Sequence, residues 1–85
     1  MATGIMTQTE REVVELLSRR PTPDQIIAFH FSPDAAERFY ELVDNEREHE
    51  LAESEQRELD TYMYLEHFIR MMKIEARRQL EQQAG

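Results

Sequence analysis

Eighty-five residues, 40% hydrophobic and 33% charged, allow one small domain and no second core. The absence of cysteine excludes disulfide scaffolds, thiolate zinc sites and cysteine nucleophiles, and glycine only at Gly4 and Gly85 excludes a glycine-rich phosphate loop. A formal net charge of −8 argues against direct DNA or RNA binding, because affinity for phosphate comes from counterion release by Lys and Arg.

Apolar residues recur with period 3.6 and nowhere alternate for long, so the expected class is all-α, with 1–85 a single helical domain. Residues 1–8 are expected to be disordered, 9–31 to form two short helices and 32–85 a helical hairpin. Thr9-Glu10-Arg11-Glu12 fits a capping box, Thr9 accepting a backbone N–H and Glu12 reaching back. Val13, Leu16 and Leu17 supply an apolar face, and the helix stops before Pro21. Thr22-Pro23-Asp24-Gln25 repeats the signature with proline in the first turn, where its missing N–H costs nothing, and leads into Ile26, Ile27 and Phe29. Ser32-Pro33-Asp34 opens a third helix in the same way, expected to bury Ala35, Phe39, Leu42 and Val43.

From about Glu53 to Gln82 the chain has neither proline nor glycine. Leu59, Tyr62, Leu65, Ile69, Met72, Ala76 and Leu80 form a stripe close to a coiled-coil or bundle seam, and Tyr64, Phe68 and Met71 form a second. One antiparallel neighbour would not cover both. The joint from Asn45 to Ala52 also lacks glycine and proline. An unbroken helix from Pro33 to Gln82, about 75 Å long, competes there with a hairpin in which Asn45 or His49 turns through the left-handed region. The hairpin is favoured, because Leu51 and Ser54-Glu55 read as a fresh start.

Chemistry-bearing groups are sparse. Glu46 and His49 make a Glu-x-x-His, which in ferritin-like bundles combines with further inward carboxylates; Glu37, Glu41, Glu66 and His67 are the available helpers. A carboxylate metal protein assembled across subunits is therefore an alternative reading, although the second motif is absent, and no metal or cofactor is expected. His30 is expected to cap the end of the second helix, His49 to end the third, and His67 to be partly exposed. Ser18, Ser32 and Ser54 have no base at recognisable spacing and no glycine for an oxyanion nest, so no catalysis is expected. The methionines Met63, Met71 and Met72 suit a core or an adaptable interface.

Charge is uneven. Residues 1–31 sum to −1 and residues 63–85 to +1, while residues 32–62 carry eleven acids against Arg38, Arg47 and Arg57, a balance of −8. Such a segment can steer a basic protein partner. The order of motifs across residues 21–78 resembles a group of small uncharacterised bacterial helical proteins of antitoxin or accessory type, some encoded beside a nuclease-like gene. The resemblance rests on Pro21-Thr22-Pro23, Ile26-Ile27-Ala28-Phe29, Ser32-Pro33-Asp34-Ala35, Asn45 to Glu48, Leu51, Glu55-Gln56 with Glu58-Leu59-Asp60, Tyr62 with Leu65-Glu66-His67, and Lys73 to Arg78. This chain departs from the pattern at His49, where glycine is usual, and at Ala52-Glu53, where Thr-Pro is usual. The resemblance implies a protein-binding role and nothing catalytic.

The expected protein is a non-enzymatic binding module, antitoxin-like or immunity-like, in the cytoplasm and without a membrane span. Glu37, Glu41, Asp44 and Glu48 would meet a basic partner, and Phe68 and Met71 would anchor it. A homodimer or higher homo-oligomer is expected through Tyr62, Leu65, Ile69 and Met72. A purely structural oligomer subunit is the remaining alternative.

Overall fold

The computed structural model describes residues 6–84, which form four helices and no strand: α1 (Gln8–Ser18), α2 (Pro23–Ala28), α3 (Pro33–Glu48) and α4 (Glu53–Ala84). The all-α hairpin architecture is as expected. Among the described residues no helix is long and apolar enough to cross a membrane. The expected disorder of residues 1–8 lies, for 1–5, outside the described residues, whereas Thr7 and Gln8 already begin α1.

The cap of α1 corrects the sequence reading by two residues. Thr7 accepts from the Glu10 N–H at 3.1 Å, and the Glu10 carboxylate accepts from the Thr7 N–H at 2.9 Å. Two overlapping Thr-x-x-Glu frames exist, and the earlier one satisfies the orphan amides while leaving Thr9 buried and Glu12 available elsewhere. Val13 is buried, but Leu17, expected on the same face, remains 42% exposed. The helix ends with the Arg19 and Arg20 amides donating to Leu16 and Leu17 carbonyls at 3.2 Å, Arg20 standing in the left-handed region at φ 51°. The Thr22–Gln25 capping box of α2 and the Ser32 cap of α3 are formed as read.

The chain turns between α3 and α4, but not by the expected device. His49 ends α3, its amide donating to the Asn45 carbonyl at 3.0 Å, with φ −162° and ψ 171°. Extended backbone is open to any residue, which removes the need for glycine at this position. At the start of α4, Ala52 offers no side-chain acceptor. Glu55 instead reaches back to the Ala52 N–H at 3.0 Å, and the Ala52 carbonyl accepts from Gln56 at 2.9 Å.

All three shorter helices pack against α4, whose 32 residues are about 48 Å long and set the longest dimension of a 52 × 31 × 18 Å molecule. The core comprises Val13 from α1, Ala35 and Leu42 from α3, and Leu59, Tyr62, Ile69 and Ala76 from α4. Full burial of a side chain such as Leu42 or Ile69 contributes about 1.5–3 kcal/mol. Around Tyr62 an aromatic cluster closes the helices together: Phe39 stacks on it at 4.5 Å between ring centroids, and Phe31 lies at 5.3 Å, itself edge-to-face with Phe29 at 5.2 Å. Burial pushes the Tyr62 phenol above its ordinary pKa, reinforced by the nearby Glu66.

Two polar ties fix this packing. Arg38 of α3 grips Glu58 of α4 with both arms of its guanidinium, at 2.8 and 3.0 Å, and also meets Glu41 at 2.6 Å; these contacts raise its pKa. Glu12 of α1 accepts from the Ser32 N–H at 2.8 Å and from the Ser32 hydroxyl, joining the N-terminal helix to the cap of α3.

Candidate interaction surfaces

The acidic residues singled out on α3 lie on one side of it. Glu37, Glu41, Asp44 and Glu48 recur at spacing 4-3-4, all exposed, over about 16 Å of helix. The opposite side of α3 carries buried Ala35 and Leu42, and the Arg38–Glu58 clamp sets the rotation that turns the carboxylates to solvent. Sequence reasoning missed Tyr40, which is 66% exposed and stands three residues after Glu37 and four before Asp44. Its ring meets Phe39 edge-on at 5.6 Å. The available signal was its position off the Ala35–Phe39–Leu42 stripe.

The oligomer residues on α4 fall differently from expectation, and the two anchor residues differ from each other. Phe68 is half-buried and Met71 is 48% exposed. Tyr62 and Ile69 belong to the chain's own core at 7% and 5% exposure, with Leu65 and Met72 half-buried beside them. As a set they cannot serve as the oligomer interface in this fold, because α1, α2 and α3 already pack against α4. On α4 the large apolar residues left outside are Met63 (54%), Tyr64 (66%), Met71 and Ile74 (55%), on the side facing away from the core.

Among the described residues no three His, Asp or Glu side chains converge as a metal site. Glu46 and His49 are both exposed at the hairpin tip, and the His49 Nδ1 sits 2.9 Å from the Glu50 carbonyl. His30 is not the helix cap expected of it: Phe29 ends α2 through its backbone, and exposed His30 borders a cleft of about 320 Å³ with Phe29, Phe31, Tyr62, Arg70 and Lys73. A second, more open groove lies between α1 and α4, walled by Glu10, Arg57, Asp60, Tyr64 and Leu65. Among the described residues neither contains a buried side-chain polar atom without a partner.

The strongest electrostatic perturbation of a carboxyl is structural. Burial acts to raise the Glu12 pKa, but hydrogen bonds from Gln8 and from the hydroxyl and amide of Ser32 outweigh it and hold the carboxyl below its ordinary range. Expected to cap α1, Glu12 instead joins α1 to the start of α3.

No family model, no curated protein and no solved structure matches this chain.

Proposed function

We propose that this chain is a non-enzymatic protein-binding module, of antitoxin or immunity type, and that its partner is basic. The observation that supports this reading best is the outward side of α3, where the exposed ring of Tyr40 stands beside Glu37, Asp44 and Glu48, with Glu41 in the same row already paired to Arg38. Carboxylates in such an arrangement steer a cationic protein and set orientation, while an exposed tyrosine supplies contact area with few rotamers to freeze. Because α3 is clamped to α4 through Arg38 and Glu58, the surface is pre-organised and little ordering cost falls on binding. Tyr40, rather than Phe68, takes the role of anchor at this surface, since Phe68 is half-buried on a different helix.

The test is co-purification with the intact chain as bait. A basic protein retained near stoichiometrically at low salt and released at high salt is the expected result. Glu37→Lys with Asp44→Lys should slow its association on the order of tenfold at low salt, and Tyr40→Ala should speed its dissociation. Retention that ignores both variants would remove the proposal.

A further inference from the structure

The outward side of α4, which borders the open groove beside α1 at Asp60 and Tyr64, has an order that the buried core does not use. Asp60, Tyr64, His67, Met71, Ile74 and Arg78 follow one another at spacing 4-3-4-3-4, which are the a and d positions of one continuous heptad register. All six are exposed, and the register faces away from the buried stripe of Tyr62, Ile69 and Ala76. The row is also complementary to its own reverse. Turned end for end about its midpoint, it sets Asp60 against Arg78, Tyr64 against Ile74, and His67 against Met71. Parallel pairing would instead set Asp60 against Asp60 and Arg78 against Arg78, placing like charges together at both ends.

We infer that the outward face of α4 receives a second copy of this chain, the two helices packing antiparallel about a two-fold axis between His67 and Met71. Such an isologous contact buries Tyr64, Met71 and Ile74 of both copies, with Met63 at the margin, and closes each end with an Asp60–Arg78 pair. Among the described residues these two side chains make only exposed local bonds, Asp60 with Gln56 and Arg78 with Glu75, so both can turn to a partner at little cost. Arg70 approaches its own mate across the axis, and Glu66, 3.7 Å away on the same helix, offsets that charge. The seam runs for about 27 Å, short for a protein interface, so the dimer is expected to dissociate in the micromolar range. This inference uses a different helix from the proposed binding surface on α3 and does not depend on it.

Two measurements test it. Sedimentation equilibrium of the intact chain should show a reversible dimer. Asp60→Arg alone and Arg78→Asp alone should each raise the dissociation constant on the order of tenfold, and the double variant should return it to within about threefold of the original. Because the chain has no cysteine, Asp60→Cys and Arg78→Cys chains can be mixed under mild oxidation; cross-links should join the two kinds of chain to each other and not to themselves. Circular dichroism should be unchanged throughout, since both positions are exposed. A chain that stays monomeric at high micromolar concentration overturns the inference. So does a double variant no better than the singles, or cross-linking of each variant with itself.

Discussion

The two sides of α4 each carry a tyrosine and an isoleucine, and these have opposite fates. Tyr62 and Ile69 face inward at 7% and 5% exposure; Tyr64 and Ile74 face outward at 66% and 55%. The inner stripe is apolar throughout, whereas the outer row mixes Tyr64, Met71 and Ile74 with Asp60, His67 and Arg78. Three helices return across one of them, and Phe31 and Phe39 pack on Tyr62, with Phe29 behind Phe31. An apolar stripe on a helix therefore announces that something will cover it, and the connectivity decides whether that is the same chain.

The contrast can be tested most severely by the paired substitutions Tyr62→Ala and Tyr64→Ala. The first removes the hub of the aromatic cluster and should cost about 3–5 kcal/mol in urea unfolding, enough to threaten folding of a domain this small. The second should lie within about 0.5 kcal/mol of the parent when measured on the dissociated chain. Equal effects would mean that the two sides are not inner and outer at all.

A smaller effect probes how the covering helices are held. Ser32→Ala removes both the α3 cap and a donor to Glu12, and should cost about 1–2 kcal/mol. Glu12→Gln should cost about 0.5–1.5 kcal/mol at neutral pH, with a pH signature. The Glu12 carboxyl is held below its ordinary value of 4.5 in the folded chain, so its contribution is full above that value and fades as pH falls through the folded pKa. Parent and Glu12→Gln stabilities should accordingly converge in acid. A gap that persists unchanged at about pH 2 would show that the carboxylate's charge is not what holds Ser32.

The smallest expected change touches neither side of α4. Arg20 holds a left-handed backbone that costs a side chain about 1 kcal/mol, and Arg20→Gly should raise stability by about 0.5–1 kcal/mol. In a thermal melt this appears as a rise of a few degrees with no change in association.

Much of the helical framework was legible because its signals are local. Thr22-Pro23 and Ser32-Pro33 combine a side-chain acceptor with a residue that has no amide to orphan, so they mark helix starts whatever surrounds them. The start of α1 was less legible, since Thr7-x-x-Glu10 and Thr9-x-x-Glu12 are equally good boxes until Thr9 is buried and Glu12 is claimed by Ser32 twenty residues away. The hairpin was legible in outline, but its geometry was not. An extended His49 leaves no mark on residue type, whereas the left-handed turn at Arg20 goes against residue preference. The carboxylates of α3 were found from charge and spacing. Tyr40 was not, because a place off the Ala35–Phe39–Leu42 stripe does not say whether another segment will cover it.

By itself, then, the amino-acid order determined the helical class, most of the boundaries, the acidic middle and the surplus of apolar helix surface, all of which follow from contacts within a few residues. Tertiary structure alone decided which stripe of α4 is interior, which carboxylate is a tether and which aromatic stands in solvent. Those outcomes depend on pairs such as Arg38–Glu58 and Phe39–Tyr62, and no local rule reports which distant segment will come to lie against a given face.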